Sequence, residues 1–240
     1  MTDTPKKRRL EGRVALVTGA SRGIGAAVAK AFSAEGAHVI LAARTVGGLE
    51  AVDDAIQAAG GTATLLPLDL SKFEQIAELG PALANKFKRL DILVANAGIL
   101  GGLSPVAMSD PKTWEQTFRI NVLANYHLIR TLDPLLRGSD AGRAIFVTSR
   151  AAHAHKAFWG AYAASKAALE EMAAVYADEV AYSKLKVNVL DPGVVRTAMR
   201  AEAYPGEDPT TLPPPESIVE SFIRLAAPSL AETGQIIRAA

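Results

Sequence analysis

Apolar residues along this chain follow two patterns: short continuous runs, and longer stretches in which they recur every three or four positions. The short runs lie at 14–18, 38–43, 63–68, 90–96, 143–149 and 185–190, with a shorter one at 235–237. Continuous apolar runs of this length predict strands buried on both faces. The periodic stretches, at 23–35, 46–59, 72–88, 112–137, 160–182 and 216–226, predict helices. Alternation of strand and helix predicts parallel strands joined by right-handed crossovers, with helices on both faces of the sheet. The expected fold class is therefore α/β, one doubly wound domain.

In such a sheet, ligands bind beyond the carboxyl ends of the strands. The chain's distinctive residues gather at those ends. Gly19 follows the first run, Arg44 the second, Asp69 and Leu70 the third, Asn96-Ala97-Gly98 the fourth, Ser149 the fifth and Pro192-Gly193 the sixth. The first turn, Gly19-Ala-Ser21-Arg22-Gly23-Ile24-Gly25, stands between a strand and a helical stretch. Its glycines permit φ > 0 and close approach of backbone to a ligand, and the following helix start offers free N–H groups to a phosphate. The spacing differs from G-x-G-x-x-G, with three residues between the first two glycines and one between the last two.

Tyr162 and Lys166 sit four positions apart in an alanine-rich helical stretch, so they share one helix face. A phenol in water has a pKa near ~10, and a neighbouring ammonium favours its ionised form. Ser149, at the end of its strand, places a second hydroxyl where it can face the first.

Composition narrows the ligand class. At 240 residues and 49% hydrophobic, the chain is long and apolar enough for one large core. A net charge of +1 gives no sign of a nucleic-acid surface, which leaves a small molecule as the expected partner. The absence of cysteine excludes disulfides and thiolate catalysis and agrees with a reducing, cytoplasmic setting. No apolar run is long enough to span a bilayer. Residues 1–10, with Lys6-Lys7-Arg8-Arg9, read as a flexible basic tail rather than a secretory signal, and 11–240 as the single domain.

Taken together, Thr18-Gly-Ala-Ser-Arg-Gly-Ile-Gly25, Asp69, Asn96-Ala-Gly98, Asn121, Ser149, Tyr162-x-x-x-Lys166 and Pro192-Gly193 with Thr197 resemble the short-chain dehydrogenases/reductases. The resemblance runs from Arg13 to about Ile237. It implies a Rossmann-fold, NAD(P)-dependent oxidoreductase acting on a carbonyl or alcohol. It also implies roles: Tyr162 as general acid/base, Ser149 polarising the carbonyl, Lys166 lowering the phenol pKa and binding the nicotinamide ribose, and Asn121 holding a relay water. Cofactor contacts are implied for Gly19, Ser21, Arg22, Gly23, Ile24, Gly25, Asp69, Leu70, Asn96, Ala97, Gly98, Pro192, Gly193, Val195 and Thr197, with no metal. A regulatory protein that holds NADP(H) without turnover is the alternative. It would have no need of Ser149, Tyr162 and Lys166 together.

Cofactor choice follows from charge. A ribose with free hydroxyls is usually held by a carboxylate at the end of the second strand, whereas a 2′-phosphate needs cations. Here Ala43 stands at that position, followed by Arg44, and Arg22 lies in the glycine turn. NADP(H) is expected, with NAD(H) less favoured.

The proline-rich stretch 198–215 reads as a loop covering the substrate, with Met199 and Tyr204 as pocket candidates. His153, His155, Phe158 and Trp159, between the serine and the tyrosine, are others. Arg150, directly after Ser149, suggests an anionic substrate or a partly blocked pocket. The stretch 161–180 is apolar on more than one face, which predicts a homodimer or homotetramer.

Overall fold

The computed structural model describes residues 8–239. Strands β1 (Val14–Thr18), β2 (His38–Ala43), β3 (Thr62–Pro67), β4 (Ile92–Ala95), β5 (Arg143–Val147), β6 (Lys186–Asp191) and β7 (Ile236–Arg238) form one sheet in the order 3-2-1-4-5-6-7. Every pairing is parallel. The order reverses direction between β1 and β4, where Val17 pairs with Leu41 on one side and Val94 on the other. At such a reversal the loops leaving neighbouring strands go to opposite faces and open a crevice at the carboxyl ends.

Successive residues of β1 show why a continuous apolar run is needed here. Ala15 and Val17 join Phe32 of helix α1 (Gly23–Ala34), Ile56 of α2 (Val46–Ala58) and Phe222 of α9 (Val219–Ala226). Leu16 enters the opposite layer with Leu83 of α3 (Phe73–Phe87), Leu128 of α5 (Ala124–Arg137) and Leu169 of α7 (Gly160–Glu179). Side chains alternate between faces and both faces are covered, so no position in the strand tolerates a polar side chain cheaply.

The expected helix over 112–137 is interrupted. Helix α4 (Pro111–Phe118) passes into a π-helical segment, Arg119–Leu123, before α5 resumes. Two further helices, α6 (Ala151–Ala154) and α8 (Ala198–Ala203), were not expected, being too short to show periodicity. The second converts the start of the supposed 198–215 loop into helix. The strand expected at 90–96 shortens to Ile92–Ala95, and the one at 143–149 to Arg143–Val147, which leaves Asn96 and Ser149 outside the ladder.

The amino ends of the strands are tied by two buried charges. Asp91 accepts hydrogen bonds from Val14 N, Arg13, Arg89 and Ser139 Oγ. Arg143 donates to the carbonyls of Gly142, Lys184, Ala227, Pro228 and Leu230. Within the supposed tail, Arg9 pairs with Glu35 and Glu220, and Leu10 is fully buried, because this segment caps the layer of α1 and α9. Residues 1–7 lie outside the described residues.

Candidate active site

One cleft of about 1110 Å³ runs across the carboxyl ends of the strands, from Arg44 and Asp69 at one end to Tyr162, Trp159 and Met199 at the other. Its floor is the glycine turn. Gly19 and Gly23 have φ of 67° and 56°, a region open to glycine at little cost. A Cβ on Gly25 would collide with the Gly19 carbonyl oxygen, and one on Gly19 would stand 2.9 Å from Asn96 Nδ2. The turn is held from β4: Asn96 Nδ2 donates to Thr18 O at 2.9 Å, while Asn96 N and Ala97 N donate to Thr18 Oγ1 at 3.0 and 3.1 Å. Thr197 covers it from above, its methyl carbon 3.6 Å from where a Gly23 Cβ would be. The turn at the start of α1 is thus a cradle with room for a diphosphate and none for side chains, and it fits a dinucleotide.

Arg22 and Arg44 both line the cleft, are exposed, and form no ion pair among the described residues. Asp69 accepts from Ser71 N at 3.0 Å and Ser71 Oγ at 2.8 Å, and the backbone N–H of Ser71 holds its carboxyl below the usual range. One oxygen of Asp69 therefore shapes the turn before α3. Leu70, Gly98, Pro192, Gly193 and Val195 also line the cleft, as do Ser21 and Ile24.

At the far end the catalytic candidates converge. Ser149, Tyr162 and Lys166 all face the cleft. Lys166 is buried and donates from Nζ to the Val147 carbonyl at 2.8 Å. Burial lowers its ammonium to about 8, with the charge of Glu170 acting in the opposite direction. Tyr162 is also buried, and burial pushes its phenol up; the Ser149 hydroxyl opposes this and the charge of Asp191 adds to it. The phenol thus lies above its ordinary value, where the sequence expectation was of a phenol lowered by Lys166. Desolvation leads, while the ammonium is anchored to β5 and stands 5.8 Å from the ring centre. Tyr162 is accordingly a protonated phenol at neutral pH.

Asn121, fully buried in the π-helical segment, donates from Nδ2 to Ile99 O and Ser165 Oγ, both at 3.0 Å, and accepts from Ile99 N at 2.9 Å. Its side chain holds the loop after β4 in place. Its Oδ1 lies 3.2 Å, and Lys166 Nζ 3.5 Å, from where a Cβ on Gly98 would be, so only glycine leaves the gap between them open.

The substrate candidates divide. Trp159 and Met199 line the cleft together with Leu100 and Ala203, which sequence reasoning did not single out. Leu100, Ala151 and Tyr162 form a small apolar cluster with Trp159, Met199 and Ala203 packed against it. Tyr204 stands behind this wall, 5.8 Å from the Trp159 ring, stacked on Arg200 and accepting from Lys156 Nζ at 2.7 Å. His155 and Phe158 are exposed and outside the cleft lining, both with positive φ. His153 pairs with Glu170. Arg150 is exposed, points to Asp191 at 3.7 Å and is not among the residues lining the cleft, although its Nη2 lies 3.7 Å from where a Cβ on the cleft residue Gly193 would be. Leu100 and Ala203 carried no sequence signal, because their meeting depends on how two loops fold over the sheet.

Comparison with known proteins agrees with this arrangement. Residues 13–208 match the family model described as short chain dehydrogenase, and the chain belongs to that family of oxidoreductases. An uncharacterised oxidoreductase of Escherichia coli strain K12 is 40% identical over 224 residues, 92% of this chain and 88% of the relative. A short chain dehydrogenase from Escherichia coli CFT073, crystallised with NADPH, superimposes with a TM-score of 0.93 at 40% identity over 98% of this chain and 99% of that one. One from Shigella flexneri 2a strain 301, crystallised with NADP, gives 0.93 at 39% identity over 97% and 99%. Among the described residues no helix is long and apolar enough to cross a membrane.

Proposed function

We propose that this chain is an NADP(H)-dependent carbonyl reductase or alcohol dehydrogenase, with Tyr162 as its proton donor and acceptor. The observation that carries the reading is the convergence of Ser149, Tyr162 and Lys166 at one end of a cleft whose other end presents Arg22 and Arg44. Those two guanidiniums would hold a 2′-phosphate, the glycine turn the diphosphate, and Asp69 with Leu70 the base. The NADPH and NADP of the two structural relatives support the same cofactor here.

Bound NADPH supplies a hydride to the carbonyl carbon. Ser149 donates a hydrogen bond to the carbonyl oxygen and draws charge onto it. Tyr162, protonated because it is buried, gives that oxygen its proton, leaving an alcohol and a phenolate. Lys166, with its ammonium held beside the phenol, stabilises the phenolate and keeps it available for reprotonation. In the oxidative direction the same groups run in reverse, with the phenolate as base. Asn121 keeps the loop that borders Lys166 in register.

The substrate end favours an uncharged, partly apolar carbonyl compound. Its wall is Leu100, Trp159, Met199 and Ala203, and Arg200, which lines the cleft beside them, makes two 2.6 Å hydrogen bonds to Glu207. An apolar group placed against this wall gains burial, where a charged one would lose hydration. The exposed Leu123, Tyr126 and Val175 on the outer faces of α5, its π-helical lead and α7 support association of copies of this chain. The reading is tested by NADPH oxidation against aldehydes, ketones, diketones, quinones and 3-oxoacyl thioesters, each neutral compound matched with a carboxylate analogue. Turnover confined to neutral members supports it. Preference for the carboxylates contradicts the substrate assignment, and no turnover with any carbonyl contradicts the enzyme.

A further inference from the structure

Glu170 is a buried carboxylate whose one part in the chemistry so far described is the charge it sets near Lys166. It lies one turn beyond Lys166 on α7, with a side chain only 6% exposed. An acid so placed costs stability unless its oxygens find donors. Both do, and the two donors flank Ser149. Thr148 Oγ1, on the residue before Ser149, donates to Oε1 at 2.5 Å. His153 Nε2, four residues after Ser149 on α6, lies 2.6 Å from Oε2.

Between these two anchors the turn has few other holds: Thr148 N donates to Leu190 O, Arg150 points to Asp191 at 3.7 Å, and Ala151 packs against Tyr162. Within it, Ala151 N donates to Ser149 Oγ at 3.2 Å, Ala152 N to Ser149 O and His153 N to Arg150 O. All of these bonds are internal to the turn. Helix α6 has four residues and begins at a residue with no side-chain cap. The serine hydroxyl therefore sits on a short arch whose two feet stand on one carboxylate, and that carboxylate belongs to the helix carrying Tyr162.

We infer that Glu170 is a positioning residue: it clamps the Ser149 turn, through Thr148 and His153, against the helix that carries Tyr162 and Lys166. The inference rests on the proposed function in assigning Ser149 to the carbonyl oxygen. Misplacing a polarising hydroxyl by a fraction of an ångström weakens transition-state stabilisation while leaving nucleotide contacts untouched, because those are made by other loops.

The test compares Glu170→Ala, Glu170→Gln, His153→Ala and His153→Gln by amide hydrogen exchange and by steady-state reduction of phenanthrenequinone with NADPH. His153 is 67% exposed, so its replacement leaves the core intact even if Glu170→Ala folds poorly. Exchange over residues 149–154 is expected to quicken about tenfold in both alanine variants, with the amides of β1 and α1 unchanged. Turnover, read well on the acid side of the Lys166 pKa, is expected to fall about tenfold at unchanged KM for NADPH, and each glutamine variant to recover most of it, since an amide keeps the hydrogen bonds. Unchanged exchange at 149–154, acceleration spread over the whole sheet, or glutamine variants as slow as the alanine ones would each overturn the inference. Tyr162→Phe separates the two levels. An inactive Tyr162→Phe beside fully active Glu170 and His153 variants removes the clamp alone; a fully active Tyr162→Phe removes the reading of the site as well.

Discussion

Lys166 Nζ stands 5.8 Å from the centre of the Tyr162 ring and donates to the Val147 carbonyl at 2.8 Å, so the ammonium is moored to the end of β5, two residues before Ser149. The end of one strand thus fixes both the hydroxyl proposed to polarise the substrate oxygen and the cation proposed to serve the phenol. The phenol itself is raised by burial and stays protonated. In the proposed reaction, Lys166 acts by stabilising the phenolate left after proton transfer.

A pH dependence follows. Lys166 titrates near about 8, charged below that value and neutral above it, while Tyr162 remains protonated across the same interval. In the reductive direction, kcat/KM for NADPH should be level on the acid side and fall as pH rises through about 8. Removing the opposing charge with Glu170→Gln should move that limb to lower pH. A pH-rate series at constant ionic strength measures this, and a limb that rises with pH speaks against the assignment.

The proposed cofactor selectivity rests on the guanidiniums of Arg22 and Arg44, which form no ion pair among the described residues. Charge-assisted hydrogen bonds contribute about 1.5–3 kcal/mol each, so Arg44→Asp should cut the NADPH-to-NADH ratio of kcat/KM by about 10²-fold or more. Arg22→Ala should cut it less, because no repulsive charge is introduced. An unchanged ratio in Arg44→Asp would remove the phosphate from that end of the cleft.

Much of this architecture was legible before the structure, and the reason is period. Strands such as Val14–Thr18 are covered on both faces and therefore read as unbroken apolar runs, and the residues at their carboxyl ends fell where a doubly wound sheet puts its ligands. The misses share a cause as well. The π-helical break at Asn121 leaves the apolar spacing of a helix almost intact, and α6 and α8 are shorter than two turns. Leu100, Ala203 and Glu170 matter through contacts between segments far apart in sequence. Adjacency of Arg150 to Ser149 did not reveal that its side chain points to Asp191.

The glycine turn should tolerate nothing larger. In Gly25→Ala the added methyl meets the Gly19 carbonyl oxygen, so the start of α1 must move away from the diphosphate position. NADPH affinity, read by fluorescence titration, should fall by at least about tenfold while the far-ultraviolet circular dichroism keeps its wild-type shape. Retained affinity would mean that the nucleotide does not rest on this turn.

Stability at the opposite end of the sheet should depend on Arg143, which is buried and bonded to five carbonyls. Truncation in Arg143→Ala strands those acceptors and should cost about 3–5 kcal/mol in urea unfolding. The site lies at the other ends of the strands, so NADPH affinity should be retained in whatever fraction folds. A midpoint equal to wild type would show that water replaces the guanidinium.

The most direct measurement is a comparison of wild type with Tyr162→Phe, in which NADPH affinity and carbonyl turnover are followed on the same preparations. The substitution removes one oxygen from a buried ring and touches none of the proposed nucleotide contacts at the glycine turn. Turnover lower by at least about 10²-fold with NADPH affinity unchanged is the predicted result. Turnover at the wild-type rate would contradict it, because some other group would then be delivering the proton.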